Sequence, residues 1–587
     1  MSSNWRDRLS AVGEGHLAGG ASTAVGLSVD AVHLNGGATF VPQHSGVTVL
    51  VGANNAGKST LLREIAAKLM AQPGQSSGQG IALESIQITT EGTQADLVAW
   101  SAERLDYEEH LGARGFLIPN WGHITPGSLA MNWGHGDPGL GALAPYLMFH
   151  GDAQGRFNVG GAAEMRSSIT DPATSPIHHL QDSSEMLERI RGVAERIFGQ
   201  SLTLDNLGRT LRLRIGSVGV PAPPVDAISH EYLAAMAALP DLDSQGDGMR
   251  SVMGQLLPLV TASHEVVLLD EPEAFLHPPQ AHALGRELGT LSSQGAQIII
   301  ATHDRNLLAG LLEVDVPITV VRLSRDGGHA SVHQLNSTDL RAVWADPVLK
   351  YSNVLDGLFH RLVVVAEADG DCAYLAAALD NHGRDDPLPR SEVLFVPTGG
   401  KDGMAKVCQA LRALNVPVVA APDLDIINDV VRLSGLVRAL GCVWRDELQE
   451  VWEKATADLR APRETVKVSH VLDAVTGLLD GRQAEQYSRE LRDAVSAAIR
   501  ANDSPWAQVK SHGVSAFRGE SYSHVLRLLE LLSEAGVVPV REGELERLAP
   551  GVAVRKGSAW LGAALAAEEQ NNRASQEHLD RILAAVH

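Results

Sequence analysis

Acidic residues follow two apolar runs in the second half of the chain. Glu367 comes directly after the run 362–366, Asp371 lies four residues further on, and Asp423 and Asp425 follow a later apolar run. Chemistry in parallel sheets sits at the carboxyl ends of the strands, where clustered carboxylates repel one another unless a cation or a base needs them. Alternate residues of an extended segment point the same way, so Asp423 and Asp425 can present two oxygens to one cation. The alternative is a solvated strand-to-helix turn with Asp371 as the N-cap.

The stretch GVTVLVGANNAGKSTLLREIAAKL (46–69) indicates a phosphate-binding loop in the first half of the chain. It reads as a strand, a glycine-bounded loop and a helix, which is the context that this motif requires. Backbone N–H groups and the helix N-terminus would surround the phosphates, Lys58 would reach the β- and γ-phosphates, and Ser59 would ligate Mg²⁺. The expected nucleotide-binding residues of the loop are Gly52, Asn54, Asn55, Gly57, Lys58, Ser59 and Thr60.

Two further apolar runs end in residues suited to nucleotide hydrolysis. One ends in Asp270 and Glu271, and the other is followed by His303. An aspartate that closes such a strand holds magnesium through water, and the following glutamate can polarise the attacking water. Downstream of a phosphate-binding loop, this pair predicts ATP hydrolysis with Asp270 as a cofactor-binding residue and Glu271 as a catalytic residue. A lone histidine such as His303 is more often structural.

Ser244, Gly246 and Gly248 give an N–H-rich turn that opens a helix, which is another phosphate-binding geometry. With this turn, the order of the motifs and the DEPEAFLHP stretch, the sequence resembles the ABC-type ATPase heads of RecF, SMC and the OLD (overcoming-lysogenisation-defect) nucleases. The resemblance implies that His303 senses the γ-phosphate as part of the catalytic machinery. It also implies that the turn caps ATP held by a second subunit, so that a homodimer or higher homo-oligomer forms through the ATPase heads. The chain departs from transport ATPases, which carry LSGGQ where it has SQGDG.

Past residue 345 the pattern restarts as βαβ units, which indicate a second, small parallel sheet. Its strands and helices are expected in alternation at 362–366, 371–380, 392–397, 402–414 and 416–421.

In the first half of the chain, residues 182–199 show the periodicity of a helix and residues 202–216 read as a hairpin.

The second half resembles the Toprim domain of topoisomerases, primases and OLD nucleases. OLD-type Toprim domains read like VEGxSDxxFY, then GGK, then DxD, and this chain has AEADGDCAYL, PTGGKDG and PDLD. The resemblance implies that Glu367, Asp371, Asp423 and Asp425 ligate Mg²⁺ or Mn²⁺, the cations that suit hard oxygen ligands. Ala368 replaces the customary glycine, which alters the strand-end turn but removes no ligand.

A weaker resemblance extends to about residue 556. The GELE stretch resembles a late OLD element that supplies a further acid, which makes Glu544 or Glu546 a candidate ligand, with Glu546 assigned to the metal set. OLD nucleases also use a late lysine to neutralise transition-state charge. Lys556 is assigned this catalytic role and Lys510 is the reserve, although a surface lysine explains Lys556 equally well.

The composition indicates an acidic globular protein with several domains, since single cores stop growing near about 250–300 residues and this chain has 587. Its net charge of −22 repels phosphates, so a DNA partner would need local basic patches or bound metal ions. Cys372, Cys408 and Cys442 show no CxxC spacing and indicate neither a zinc site nor a disulfide framework. The N-terminus lacks an apolar signal region and no apolar run approaches a membrane span, which predicts a cytoplasmic protein with no membrane partner.

The predicted fold class is α/β, with an ABC/RecF-like ATPase head followed by a Toprim domain. The head is expected over 1–345, with an insertion over about 71–240 that could serve dimerisation. The Toprim nuclease domain is expected over 346–560, with a helical insertion over about 430–510. A C-terminal helical tail is expected at 561–587.

The resemblance implies an ATP-regulated, divalent-metal-dependent DNA endonuclease of the OLD family, similar to the nuclease subunit of Gabija anti-phage systems. It also implies anti-phage defence, with a helicase or another defence-system protein as a partner. Three alternatives stay open. A RecF/SMC-like DNA-binding ATPase in DNA repair would carry an inactive Toprim domain, against which the intact carboxylate set speaks. A topoisomerase or primase would need a tyrosine domain or a zinc module, and a transport ATPase would carry LSGGQ.

Overall fold

The structure, a computed structural model, divides into two compact units, Met1–Trp344 and Ala345–His587. Each unit has a largely parallel sheet of its own. The structure describes residues 5–586 apart from 12–14, 20, 75–79, 111–112, 119–120, 132, 135, 137, 153–154, 168–172, 174, 225–226, 262–263, 294, 327–328, 336, 351–352, 383–387, 462–466, 483–485, 500–504 and 553–556.

A largely parallel sheet forms the centre of the first unit. The strands of this unit are β1 (Gly26–Leu34), β2 (Thr39–Phe40), β3 (Gly46–Val51), β4 (Leu83–Glu91), β5 (Asp106–His110), β6 (Ala113–Ile118), β7 (Gly122–Ile124), β8 (Met148–Gly151), β9 (Ala163–Glu164), β10 (Leu202–Asp205), β11 (Thr210–Ile215), β12 (Val266–Asp270), β13 (Gln297–Ala301), β14 (Ile318–Asp326) and β15 (His329–Leu335). The central sheet has the order β15-β14-β3-β13-β12-β8, with only the edge pair β14–β15 antiparallel. β3, β12 and β13 are rich in aliphatic residues and buried along their whole length, as parallel strands with both faces covered must be.

Helices connect and cover these strands. They are α1 (Trp5–Ala11), α2 (Lys58–Met70), α3 (Gln94–Arg104), α4 (Pro126–Ala130), α5 (Ala144–Leu147), α6 (Arg156–Val159), α7 (Pro176–Asp182), α8 (Ser184–Phe198), α9 (His230–Ala238), α10 (Asp247–Thr261), α11 (Pro278–Ser292), α12 (Arg305–Leu312) and α13 (Ser337–Ala345). The helix predicted at 182–199 is confirmed as α8, which buries Ile190, Val193, Ala194 and Ile197 on one face. The predicted hairpin at 202–216 is confirmed as the antiparallel pair β10–β11.

A second parallel sheet forms the centre of the second unit. Its strands β16 (Leu362–Ala366), β17 (Val393–Pro397) and β18 (Val418–Ala421) have the order β17-β16-β18. Residues 536–540 run parallel beside β18, with bridges at Ala420–Val537 and Asp423–Val540. The α/β class and the second parallel sheet expected from the sequence are thereby confirmed.

Helices of the second unit surround this sheet. They are α14 (Pro347–Lys350), α15 (Asp369–Asp380), α16 (Lys401–Ala413), α17 (Val430–Ala439), α18 (Asp446–Arg460), α19 (Val468–Leu479), α20 (Arg489–Ile499), α21 (Pro505–His512), α22 (Gly519–Glu534), α23 (Ser558–Ala566) and α24 (Arg573–Ala584). The segment expected as a C-terminal tail packs into the core. The Tyr374 hydroxyl lies 2.8 Å from Ser575 Oγ, and Leu579 and Ile582 are fully buried in the same apolar cluster as Tyr374. Among the described residues, no helix combines the length and apolar content that crossing a bilayer requires.

Candidate nucleotide-binding and metal-binding sites

The loop between β3 and α2 closes around the Lys58 side chain. Gly52 and Gly57 have φ values of 144° and 95°. A Cβ at Gly52 would lie 2.2 Å from the Leu323 carbonyl oxygen, so glycine is required there. The buried Lys58 Nζ donates to the carbonyl oxygens of Gly52 at 2.9 Å and Ala53 at 3.2 Å. Burial lowers the pKa of Lys58, while nearby carboxylates oppose that shift. The loop thus has a buried ammonium group and the tight main-chain turns that phosphate binding requires.

Hydroxyl and carboxylate oxygens meet beside this loop. Asn54 and Asn55 are exposed in the loop, while Ser59 and Thr60 are half-buried in the first turn of α2. Ser59 Oγ donates to Asp270 Oδ1 at 2.8 Å, although these residues come from separate motifs. Asp270 is the buried last residue of β12, and burial raises its pKa. The pair offers the hard oxygens that Mg²⁺ prefers.

The turn after β12 places two acidic side chains beside His303. Glu271 has a φ of 47°, and its Oε1 lies 3.2 Å from His303 Nδ1. Glu273, which sequence reasoning did not single out, has its Oε1 3.8 Å from the same nitrogen. Its Oε1 also accepts a hydrogen bond from Thr302 Oγ1 at 2.5 Å, and burial raises the pKa of Glu273 to about 7. The motifs that follow β12 and β13 therefore meet, because these strands are parallel neighbours.

The turn with Ser244, Gly246 and Gly248 lies at the N-terminus of α10. Ser244 and Gly246 are exposed, and Ser244 Oγ donates to the carbonyl oxygen of Asp241 at 2.6 Å. Gly248 lies so close to the turn after β12 that a Cβ there would be 2.7 Å from the Phe275 carbonyl oxygen. The contact of this turn with a nucleotide in a second subunit stays a prediction.

Two side chains, one from the edge strand β8 and one from the following helix α6, approach this site without belonging to any motif recognised in the sequence. His150 belongs to β8, which pairs with β12, and burial lowers its pKa against the opposing charges of Asp152 and Asp270. Arg156 Nη1 donates to the carbonyl oxygens of Asp270 at 3.2 Å and Glu271 at 2.8 Å. Because these hydrogen bonds of Arg156 go to main-chain oxygens, which every residue has, no motif in the sequence reveals the contact.

Three carboxylates converge at the carboxyl ends of β16 and β18. One oxygen each of Glu367, Asp423 and Asp425 lies within 4.8 Å of the other two. Glu367 Oε1 accepts from the Asp423 backbone N–H at 3.0 Å, and Asp423 Oδ1 accepts from the Leu545 N–H at 3.0 Å. Burial, followed by the Asp423 charge, raises the pKa of Glu367 to about 7. We call these three residues the acidic cluster.

Two lysines contact the acidic cluster. The glycine pair before α16 has φ values of 69° and 123° and places Lys401 at the first position of the helix. Its Nζ binds Asp425 Oδ1 and lies 3.8 Å from Glu367 Oε1. The Nζ of Lys510, the reserve candidate, lies 3.1 Å from Asp425 Oδ2 and 3.6 Å from Glu544 Oε1. The sequence singled out the GGK motif, but it did not reveal that Lys401 reaches the carboxylates.

Two other expected metal ligands lie outside the acidic cluster, and the expected catalytic lysine is not among the described residues. Asp371 is buried in the first turn of α15, where its Oδ2 accepts from the Ala368 N–H at 3.0 Å as a helix cap. Glu546 lies in a short 3-10 helix, Leu545–Leu548. Lys556 falls outside the described residues. Their expected roles as metal ligands and catalytic lysine stay predictions.

The strand order, the closed loop and the Ser59–Asp270 pair define the first unit as a phosphate-loop nucleotide-binding unit of the α/β class. Residues 220–309 match the family model described as "AAA domain, putative AbiEii toxin, Type IV TA system". The chain is also similar to the Old nuclease of Escherichia phage P2, with 26% identity over 176 residues. This similarity covers 29% of this chain and 29% of the phage protein, so it spans less than a third of that relative.

Solved structures of ATPase heads are similar to about half of the chain. An SMC head bound to the C-winged helix domain of ScpA is 12% identical, with a TM-score of 0.32, over 52% of this chain and 97% of that chain. A nucleotide-free ATP-binding cassette from an ABC transporter is 13% identical, with a TM-score of 0.26, over 56% of this chain and 98% of that chain. Both TM-scores are low, and the class of the first unit follows from its own strand order and loop geometry.

Proposed function

We propose that the chain is an ATP-regulated, divalent-metal-dependent DNA endonuclease of the OLD type. The observation that supports this proposal most is the acidic cluster, in which Glu367, Asp423 and Asp425 bring three oxygens within 4.8 Å of one another. Its position at the carboxyl ends of parallel strands is where catalytic groups of such sheets collect. The similarity to Old nuclease over part of the chain agrees with this function.

The donor set of the acidic cluster fits a hard divalent cation. Glu367, Asp423 and Asp425 would hold Mg²⁺ or Mn²⁺ through carboxylate oxygens. When bound, such a cation supplies a Lewis acid that activates water and stabilises the leaving oxygen of a phosphodiester. The main-chain N–H groups of Asp423 and Leu545 keep two of the carboxylates oriented. A loaded cluster would also attract phosphate locally in a chain whose net charge is −22.

The two lysines beside the cluster would act on the DNA phosphate. Lys401 and Lys510 hold ammonium groups at opposite oxygens of Asp425. In this position they can stabilise negative charge that develops on the phosphate during cleavage. Asp371 and Glu546 remain candidate ligands from the resemblance, and Lys556 remains a candidate catalytic lysine.

ATP in the first unit is proposed to regulate cleavage. Lys58 would bind the phosphates, while Ser59 and Asp270 would hold the magnesium that accompanies ATP. Glu271 would orient the attacking water, and His303, at 3.2 Å from Glu271, would contact the γ-phosphate. The exposed turn at the start of α10 would cap ATP bound by a second copy, which gives a homodimer or a higher homo-oligomer.

The biological setting is proposed from the same resemblance. A nuclease whose cleavage is regulated by ATP fits a role in anti-phage defence. It also fits similarity to the nuclease subunit of Gabija systems and a helicase or another defence protein as partner. Reconstitution with candidate partners would test these points after cleavage itself has been measured.

The second candidate function is a RecF/SMC-like DNA-binding ATPase with an inert second unit. The contact of Lys401 with Asp425 and Glu367 favours this candidate, because an ammonium group can balance the acidic cluster without a metal ion. This candidate predicts ATP hydrolysis and DNA binding without cleavage, so the two functions differ in one measurement.

Incubation of supercoiled plasmid with the pure protein and Mg²⁺ or Mn²⁺, with and without ATP, tests the proposal. Nicked or linear product is expected from the wild type. It is also expected from the control variant Asp369→Asn, which removes an exposed carboxylate two residues after Glu367. Asp425→Asn is expected to lose cleavage while keeping ATP hydrolysis, and Lys58→Ala is expected to lose nucleotide binding. Equal cleavage by Asp425→Asn and the wild type would refute the metal site.

A further inference from the structure

Arg156 is a buried arginine whose hydrogen bonds go to the main chain of the proposed ATPase site. Its side chain is 2% exposed, and Nη1 donates to the carbonyl oxygens of Asp270 and Glu271. The guanidinium group lies 5.8 Å from the Phe157 ring and 6.0 Å from the Phe275 ring. Its hydrogen bonds therefore hold the start of the turn after β12, and its guanidinium group also lies near Phe275 later in that turn.

This arrangement leaves the reactive oxygens of the site to other partners. The side-chain Oδ1 of Asp270 accepts from Ser59, and the side-chain Oε1 of Glu271 faces His303. An arginine paired directly with either carboxylate would compete with magnesium or with the attacking water. Because Arg156 contacts the carbonyl oxygens, it can fix the backbone without occupying the carboxylates.

The turn held by Arg156 has an unfavourable backbone conformation. Glu271 has a φ of 47° and Phe275 a φ of 70°, a region that residues with a Cβ seldom occupy. Such conformations persist only where surrounding contacts impose them, and they collect at functional sites. The Glu271 N–H donates to the Ala301 carbonyl oxygen at 2.8 Å, which fixes one side of the residue. Arg156 supplies the contact on the carbonyl side.

Helix α10 contacts both Arg156 and the turn. A Cβ at Gly254, in the middle of α10, would lie 1.7 Å from the Arg156 carbonyl oxygen. A Cβ at Gly248, near the start of α10, would lie 2.7 Å from the Phe275 carbonyl oxygen. The helix that begins at the exposed Ser244–Gly248 turn thus touches, at two glycines, the elements that set the Glu271 backbone.

We propose that Arg156 is a positioning residue that fixes the Glu271 carboxylate for ATP hydrolysis and joins its position to that of α10. The inference rests on the proposed ATPase function. Movement of α10, such as that caused by a second copy at its exposed N-terminal turn, would shift Arg156 and with it the Glu271 backbone. The rival explanation is that Arg156 only stabilises the fold, which would lower thermal stability without a selective effect on turnover.

The test compares steady-state ATP hydrolysis and ATP affinity in variants of the full-length protein. Arg156→Met is expected to lower kcat by about 100-fold, the loss that a misplacement of about 1 Å can cause, while the Kd for a fluorescent ATP analogue stays within about twofold. Arg156→Lys keeps one donor group and is expected to retain more of the kcat than Arg156→Met. Gly254→Ala leaves Arg156 intact but displaces its carbonyl oxygen, so the same selective loss of kcat is expected.

Two controls separate the outcomes. Arg104→Met removes another arginine that stacks on an aromatic ring, at 4.7 Å from Trp100, and is expected to keep wild-type kcat. Guanidinium added to Arg156→Ala is expected to restore part of the lost kcat even if that variant melts early. The inference would be overturned, and the ATPase function kept, by wild-type kcat in both Arg156→Met and Gly254→Ala. Weaker binding of the ATP analogue with unchanged kcat in these variants would have the same consequence. A wild type that hydrolyses no ATP would overturn the ATPase function and the inference together.

Discussion

Replacing Lys401 with methionine removes the positive charge closest to the acidic cluster while keeping a side chain of similar length. The Lys401 side chain is 15% exposed, binds Asp425 and lies 3.8 Å from Glu367 Oε1. Burial, helped by the positive charges of Lys510 and Arg432, lowers the pKa of Lys401 although the neighbouring carboxylates oppose that shift. The pair is therefore sheltered enough for its loss to matter, and the three carboxylates are left with Lys510, 3.1 Å from Asp425 Oδ2, as the remaining ammonium group.

The size of the effect follows from this burial. Removing one partner of a buried ion pair costs about 3–5 kcal/mol, and for a unit of this size 1 kcal/mol shifts Tm by about 2–4 °C. The lower end of the first range therefore gives a decrease in Tm of about 6–12 °C for the second unit without added metal. Added Mn²⁺ can supply the missing positive charge, so it is expected to raise Tm more in Lys401→Met than in the wild type.

Differential scanning calorimetry with and without Mn²⁺ measures both the decrease in Tm and the response of Tm to the metal. Lys406→Met is the matched control, because Lys406 lies in the same helix but pairs at 2.6 Å with Asp346 while 47% exposed. Such surface pairs contribute about 0–1 kcal/mol, so only a small, metal-independent change in Tm is expected. Equal Tm values and equal Mn²⁺ responses for the two variants would refute the assigned role of Lys401.

Three further predictions address other parts of the molecule. Gly52→Ala is expected to abolish binding of a fluorescent ATP analogue, because its Cβ would lie 2.2 Å from a carbonyl oxygen at a φ of 144°; affinity within twofold of the wild type would contradict the loop geometry. Asp371→Ala removes the cap of α15 and is expected to lower the stability of the second unit by about 1 kcal/mol, and an unchanged urea midpoint would show that the cap contributes nothing. Burial lowers the pKa of His578 to about 3, whereas the unfolded chain binds that proton near the ordinary value of about 6.5. Stability from neutral His578 is therefore fully present above about pH 6.5 and lost as the pH falls, by about 2 kcal/mol between pH 7 and pH 5. The unfolding free energy of His578→Leu is expected to vary less over that interval by this amount, and identical pH profiles would exclude the assignment.

The elements that carry the sites could be predicted from the sequence because buried parallel strands have a simple pattern. The runs 46–51, 266–269 and 362–366 consist mainly of aliphatic residues, and each is followed directly by the motif that it positions. The C-terminal segment was harder to predict. Residues such as Leu579 and Ile582 show that α24 is amphipathic, but not that this face packs into the core of the second sheet.

The site residues were predictable where the chemistry resides in side chains of a motif. Ser59 and Asp270 are far apart in sequence, yet each motif requires the other, and the structure joins them. Arg156 could not be predicted, because its partners are carbonyl oxygens that every residue possesses. The reach of Lys401 to Asp425 depends on the spacing of two strands, which sequence spacing alone does not give.

The most direct test of the central claim is anomalous diffraction from crystals of the protein soaked in Mn²⁺. The proposed nuclease function requires a manganese peak in contact with carboxylate oxygens of Glu367, Asp423 and Asp425, and no such peak in Asp425→Asn. Manganese absent from these carboxylates in crystals of a protein that still cuts plasmid would contradict the account.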